Sequence, residues 1–268
     1  MGIGHDHSVR QKVQIISPCV LVRADVLLVE RGLAPSRTAA QRLIAAGHVF
    51  VRDGNSRVAL SKSSVSVAED ISLEIEASDL DRFVSRGGLK LDGALTHVGL
   101  DVAYLRCLDV GQSTGGFTDC LLQRGAAHVV GVDVGHDQLH ARMRADQRVS
   151  CVEGVNARTL AQIGEPFDLI VADVSFISVS KVLPQWPALL AATGHVLSLV
   201  KPQFEVGADN LARGGIVRDV SLYAVVETTI RAACAQAGLR VLDYFDSSIT
   251  GTDGNREFFL YAEAAEKP

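Results

Sequence analysis

The chain has 268 residues, enough for one large domain and a small one. It is 47% hydrophobic and carries a formal net charge of −5, which favours a sizeable core and argues against a surface that binds nucleic acid throughout. The apolar run Ile15–Val29 is broken by Arg23 and Asp25, so neither a signal peptide nor a membrane span is expected there. Charge is uneven along the chain. From Arg10 to Lys62 nine Lys/Arg stand against three acids, a net of +6, which leaves −11 on the rest and suggests one module that faces a polyanion. The five cysteines (Cys19, Cys107, Cys120, Cys151, Cys234) are scattered without a C-x-x-C pair. They suggest neither a zinc site nor a disulfide framework, and a reducing, cytoplasmic location is the expectation. Asp6 stands where a myristoylation signal needs Ser or Thr, and His5 and His7 read as part of a tail.

Residues 1–20 show no clear periodicity. Arg23-Ala-Asp25-Val-Leu-Leu28 begins a helix with an apolar face, and Gly32-Leu33 turns the chain. Ser36 can cap a second helix, Arg37–Ala46, in which Ala39, Ala40, Leu43 and Ile44 share a face and which Gly47 closes. The alternations Val49/Val51, Val65/Val67 and Ile71/Leu73/Ile75 predict short antiparallel strands, with Asp53-Gly54 turning between the first two. The run Arg23-x-Asp25-x-x-Leu28, Gly32-Leu33-x-x-Ser36-Arg37-x-x-Ala40-x-x-Leu43-Ile44-x-x-Gly47-x-Val49-x-Val51 resembles the S4 RNA-binding domain, with Asp53-Gly54 and Lys62-Ser63-Ser64 departing from its usual continuation. On physical grounds alone, a helix pair bearing Arg23, Arg31, Arg37 and Arg42 can lie against the phosphates of folded RNA. A small helical module for protein contacts is the alternative.

Residues 78–85 are polar and read as a linker. Arg82–Leu91 leads into a helix. From Leu105 strands and helices alternate, with strands expected at Val149–Glu153, Phe167–Asp173, Gly194–Val200, Arg240–Ser247 and Glu257–Ala262, and helices over Ser178–Ala191 and Ser221–Ala237. This is the pattern of a doubly wound parallel sheet whose last strand pairs antiparallel.

The richest stretch is 108–133. A strand (Tyr104–Val110) carries Asp109, a glycine turn follows (Gly111, Gly115, Gly116), then a helix (Phe117–Arg124) and a strand (His128–Val132) ending at Asp133. Glycine turns let a ligand approach the backbone, and an acid at the next strand end can take a ribose hydroxyl pair. A dehydrogenase is disfavoured, because Gly111-x-x-x-Gly115-Gly116 is not G-x-G-x-x-G. A hydrolase elbow is matched literally by Gly111-x-Ser113-x-Gly115, with Ser113, Asp173 and His195 as a weak triad, but the motif follows the first strand of its domain, where such an elbow does not sit. An S-adenosylmethionine-dependent methyltransferase fits each position. It expects acids after the first two strands and chemistry at the ends of the fourth and fifth, here Asp173 and Lys201. Lys90 before the first strand and Glu257 at the last can join them. Two lysines with two acids suit a ribose hydroxyl, a poor nucleophile that needs a base or a field favouring its alkoxide. Plain alternatives exist: Lys90 as a surface helix residue, and Glu257 as a partner of Arg256's neighbours on an edge strand. Phe117 and Phe176 read as packing residues rather than base-stacking ones. Arg213-Gly214-Gly215 reads as a loop that closes over substrate or is only a loop.

Ser-Arg-Gly-Gly-Leu-Lys90, Asp109-Val-Gly-x-Ser-Thr-Gly-Gly-Phe117, Ala-Asp173-Val-Ser-Phe-Ile-Ser, Val-Lys201-Pro-Gln-Phe-Glu and Gly-Asn-x-Glu257-Phe together resemble the TlyA (hemolysin A) family over about Val22–Ala262. The resemblance implies a Rossmann-like α/β methyltransferase sheet of FtsJ type (86–265), preceded by a tail (1–20), a small α+β S4 domain (21–77) and the linker (78–85). It implies 2′-O-methylation of cytidine in ribosomal RNA, with S-adenosylmethionine as cofactor and ribosomal subunits as partners. The Lys-Asp-Lys-Glu tetrad falls on Lys90, Asp173, Lys201 and Glu257. The expected cofactor contacts are Asp109, Gly111, Ser113, Gly115, Gly116, Phe117, Asp133, Asn156 and Asp173; no metal and no stable membrane association are expected. The chain ends soon after Glu257, which leans towards large-subunit RNA. A membrane-damaging protein and an RNA-binding protein with an inactive methyltransferase fold remain the rival classes.

Overall fold

The computed structural model describes residues 20–34, 36–54, 56–76, 82–160, 163–251 and 253–265. His5, Asp6, His7, Arg10, Lys12 and Cys19 lie outside them. The chain divides after Ser78 into two compact units.

The first unit contains β1 (Leu21–Arg23), α1 (Ala24–Glu30), α2 (Arg37–Ala45), β2 (Val49–Asp53), β3 (Ser56–Ala59), β4 (Ser66–Ala68) and β5 (Ser72–Ile75). Ser36 is extended and its Oγ accepts the Ala39 N–H at 3.2 Å, which starts α2; Gly47, at φ +77°, follows its end. Ala40, Leu43 and Ile44 of α2 join Leu27 and Leu28 of α1 in one buried cluster. Strands β3-β2-β5 form an antiparallel sheet and β1 pairs with β4. The turn at Gly54 therefore leads into β3, not into Val65/Val67. The alternation rule missed β3 because all its residues are exposed and none marks an inner face.

The second unit holds α3 (Gly87–Val98), β6 (Arg106–Val110), α4 (Gly116–Gln123), β7 (His128–Asp133), α5 (Ala141–Arg144), β8 (Val149–Glu153), β9 (Phe167–Ala172), β10 (Leu190–Val200), α6 (Leu222–Ala237), β11 (Leu239–Asp246) and β12 (Phe258–Ala264). Their order across one sheet is β11-β12-β10-β9-β6-β7-β8. All neighbours are parallel except β12, which runs antiparallel to both β10 and β11. Strands β6, β9 and β10 are apolar on both faces, as a covered parallel sheet requires, and an apolar cluster forms on each face. The carboxyl ends of β6, β7, β9 and β10 lie along one edge, with the amino end of β12 beside them.

Three expectations change. Ser178–Ala191 is not an α-helix but two 3-10 turns (Val179–Lys181 and Leu183–Ala188), because Pro184 and Pro187 each lack the N–H that α-helical bonding needs. The first strand starts at Arg106, since Tyr104 sits at φ +64° and is exposed. Packing begins inside the stretch read as linker. Phe83 is buried, and a Cβ on Gly88 would fall 2.3 Å from its ring, so the first turn of α3 accepts that ring only as glycine. Cys107, Cys120 and Cys234 are buried, as expected for small hydrophobes.

Candidate active site

The turn after β6 is shaped by residues that sit close to other backbone. Gly111 has φ +84°, and a Cβ there would come within 2.6 Å of the Asp173 carbonyl oxygen. The Ser113 N–H donates to Asp133 Oδ2 at 2.8 Å, and the Gly135 N–H donates to Asp133 Oδ1 at 2.7 Å. Asp133 is thus fixed by backbone donors at the end of β7. It borders a cleft of about 530 Å³ that Gly111, Ser113, Asn156 and Asp173 also line, with Val134 and Val174 as apolar walls. An oriented carboxylate beside such walls fits a nucleoside: acceptors for ribose hydroxyls and a slot for a base.

The other expected cofactor contacts stand behind this cleft. Asp109 is fully buried. Its Oδ2 accepts from Thr118 Oγ1 at 2.7 Å, and Thr118 Oγ1 in turn accepts from Gln112 Nε2 at 2.9 Å. Burial pushes the Asp109 carboxyl up to about 7, opposed by the Thr118 hydrogen bond and reinforced by the Asp173 charge. A Cβ on Gly115 would point at Leu139 and Met143, and one on Gly116 at Ser85 Oγ. Phe117 is buried and stacks on Phe259 with ring centroids 6.3 Å apart. These four shape the turn from within. The hydrolase triad is also absent: Ser113 Oγ donates to Gln138 Oε1 at 3.1 Å, while His195 on β10 stacks on Tyr261 of β12.

Two ion pairs occupy the neighbouring strand ends. Lys201 Nζ lies 2.6 Å from Asp173 Oδ1 and donates to Ser175 Oγ at 2.7 Å. The aligned hydrogen bond is the one to Ser175, and the approach to Asp173 is a charge contact. Lys90 Nζ, on α3, lies 2.6 Å from Glu257 Oε2, and the two residues are 8% and 3% exposed. Val200 pairs with Phe258, so Lys201 and Glu257 stand side by side just past that pair. Neither plain alternative holds: Lys90 is not on the surface, and Glu257 answers Lys90 while Arg256 pairs with Asp246.

Phe176 corrects the packing expectation. It is 92% exposed at φ +62°, borders the cleft three residues after Asp173, and touches Phe204 at a centroid distance of 5.2 Å. Sequence reading also missed Ser175, the hydroxyl partner of Lys201, and Glu205. The Glu205 carboxylate accepts from Ser178 Oγ at 2.5 Å and from the Val179 N–H at 2.8 Å, and so ties the segment after β10 to the one after β9. Burial raises the Glu205 pKa.

In the first unit the four arginines part company. Arg23 grips the buried Asp25 through Nε and Nη2, both at 3.0 Å, and Arg37 Nη2 reaches the same carboxylate at 3.1 Å. Gln41 Nε2 adds a bond at 2.9 Å. These donors, Arg23 foremost, hold Asp25 well below the usual carboxylate range. Arg31 instead donates to the backbone carbonyls of Glu69 and Ile71. Arg42 is exposed near the end of α2.

Sheet order, glycine turn and strand-end acids define a Rossmann-like methyltransferase of the nucleoside-cofactor type. The family model for FtsJ-like methyltransferases matches residues 83–264, and that for the S4 domain matches 22–51. The chain is 43% identical to the 16S/23S rRNA (cytidine-2′-O)-methyltransferase TlyA of Mycobacterium tuberculosis, over 89% of this chain and 88% of the other. It is 35% identical to Hemolysin A of Brachyspira hyodysenteriae, over 90% and 99% respectively. A solved structure of a hemolysin-named protein from Streptococcus thermophilus superposes with a TM-score of 0.70 at 38% identity, covering 92% of this chain and 90% of that one. A solved structure from Listeria monocytogenes named as an S-adenosylmethionine-dependent methyltransferase shares the fold over 67% of this chain and 99% of that one, at 14% identity and a TM-score of 0.52. The chain belongs to the TlyA family, in which an S4 domain precedes an FtsJ-like methyltransferase. Among the described residues no helix is long and apolar enough to cross a membrane.

Proposed function

We propose that this protein methylates the ribose 2′-oxygen of a cytidine in ribosomal RNA, using S-adenosylmethionine. The observation that carries the reading is Lys201, held by Asp173 and Ser175 at the rim of the nucleoside-shaped cleft and flanked on the next strand end by Glu257 with its partner Lys90. The curated relatives with named RNA targets, from Mycobacterium tuberculosis and Campylobacter jejuni, have 23S RNA in common, and it is the substrate proposed here.

The cofactor supplies a methyl group on a sulfonium. Asp133 would take its ribose hydroxyls, Asn156 the adenine edge, and Val134 and Val174 would exclude water from the base. Lys201 Nζ meets the substrate 2′-oxygen. As an ammonium it stabilises the growing alkoxide, and as an amine it takes the hydroxyl proton. Asp173 fixes the position of Lys201, and the Lys90–Glu257 pair keeps the second cation beside it in place. The exposed Phe176 ring offers a face on which the target cytosine stacks once it is out of its helix. Arg42, exposed on α2, meets RNA phosphates, with Arg23 and Arg37, gathered on Asp25, beside it.

The test is transfer of labelled methyl groups from S-adenosylmethionine to unmodified ribosomal subunits. Wild type labels a cytidine 2′-oxygen, and Lys201→Ala lowers the rate by roughly a hundredfold or more, in line with loss of one group that stabilises developing charge. Full activity in that variant overturns the assignment of Lys201.

A further inference from the structure

The hairpin after β10 is not a free loop. Leu211 bridges Val217, and the Ala212 N–H donates to the Ile216 carbonyl at 2.7 Å. Gly214 and Gly215, at φ +88° and +78°, make its turn. One side chain from a distant segment holds it. Asn255, 2% exposed, donates through Nδ2 to the Gly215 carbonyl at 3.0 Å and accepts through Oδ1 from the Val217 N–H at 3.2 Å. Its own carbonyl accepts from the Gly251 N–H at 2.9 Å, which closes the turn that delivers Glu257. That turn is tight against the catalytic carboxylate: a Cβ on Gly251 would lie 2.6 Å from Glu257 Oε1.

We infer that Asn255 is a positioning residue for methyl transfer: its carboxamide latches the hairpin Leu211–Val217 to the segment 253–257, so that hairpin and Glu257 are set as one piece beside Lys201. The inference rests on the functional reading above. The site asks for a carboxamide and not merely for a polar residue of that size. One end must donate to a carbonyl and the other must accept from an N–H, and both are removed from water, where an unmatched polar group is costly. A carboxylate at 255 satisfies Val217 and sets an oxygen against the Gly215 carbonyl. A protonated carboxyl restores both bonds, and burial together with the facing carbonyl raises the pKa at which it protonates.

The experiment compares wild type, Asn255→Asp and Asn255→Ala in methylation of unmodified ribosomal subunits, with folding followed by circular dichroism and S-adenosylmethionine affinity by calorimetry. In folded protein of unchanged cofactor affinity, both variants have kcat lowered roughly 10- to 100-fold near pH 8, the scale of a small misplacement of a reacting group. The ratio of Asn255→Asp to wild-type kcat rises as pH falls from about 8 to about 6, while that of Asn255→Ala does not follow it. A merely structural asparagine gives no such recovery in kcat at constant cofactor affinity. Should Asn255→Asp fail to fold, deletion of Arg213 and Gly214, which removes the exposed turn alone, lowers kcat in its place. Wild type active with kcat equal in these variants overturns the latch alone. Wild type that transfers no methyl group overturns the functional reading, and the latch with it.

Discussion

Lys90 and Glu257 are separated by 167 positions in the chain, yet their side chains close a 2.6 Å ion pair in a nearly dry setting beside Lys201. Two charges taken out of water cost about as much as their attraction returns, and removing one partner leaves the other uncompensated. Lys90→Ala and Glu257→Gln are therefore each expected to destabilise by about 3–5 kcal/mol in urea unfolding and to lose methylation. The double variant Lys90→Met/Glu257→Leu regains most of that stability and stays inactive. Activity in the double variant would show that the pair only supports the fold.

Phe176 carries almost no packing, so Phe176→Ala leaves the melting temperature where it was. Loss of a stacking face for one base costs about 1–3 kcal/mol. kcat/KM for ribosomal subunits is expected to fall by roughly 10- to 100-fold, with S-adenosylmethionine affinity retained by calorimetry. Unchanged kcat/KM removes Phe176 from the RNA face.

The arginines divide by what already holds them. Arg42 is exposed near the end of α2, so Arg42→Ala weakens binding to ribosomal RNA and lowers the slope of log K against log salt by about 1, the signature of one lost phosphate contact, whereas Arg23→Ala strips the buried Asp25 of its main partner and destabilises the first unit. Arg31 is committed to the carbonyls of Glu69 and Ile71, so Arg31→Ala loosens the first unit in thermal melts and leaves the slope alone. A slope change for Arg31 with none for Arg42 would reverse this sorting.

Asp109 makes the protein pH-sensitive in one direction. Its folded-state pKa, near 7, lies above the ordinary carboxylate value, with burial the main cause. Below both values the group is neutral folded or unfolded and costs nothing. As pH rises from about 4 to about 7 the unfolded chain ionises first, and stability falls by at most about 4 kcal/mol, then levels off. Asp109→Asn removes the titration, so its stability relative to wild type improves between pH 5 and pH 8 in urea unfolding. A constant difference across that range contradicts the raised pKa.

Much of the second unit is legible from periodicity alone. Apolar runs such as Val149–Glu153 and the 108–133 stretch carry strand, glycine turn and strand-end acid in local sequence, and β8 has the expected bounds. Residues 178–191 misled because their apolar spacing is helical while Pro184 and Pro187 forbid α-helical bonding. Phe176 misled because nothing in Asp-Val-Ser-Phe announces a left-handed backbone that turns the ring outward. The partners of Lys90 and Asn255 lie far along the chain, and only the folded sheet edge brings them together. The unequal standing of the arginines depends on where one carboxylate, Asp25, is buried, which spacing does not disclose.

The central claim is that Lys201 serves methylation of a cytidine 2′-oxygen in ribosomal RNA. Mapping of 2′-O-methyl groups across the ribosomal RNA of cells lacking this protein tests it most directly. Loss of at least one cytidine 2′-O-methyl group, restored by the wild-type gene and not by Lys201→Ala, is the predicted result. An unchanged methylation map, or full restoration by Lys201→Ala, would contradict it.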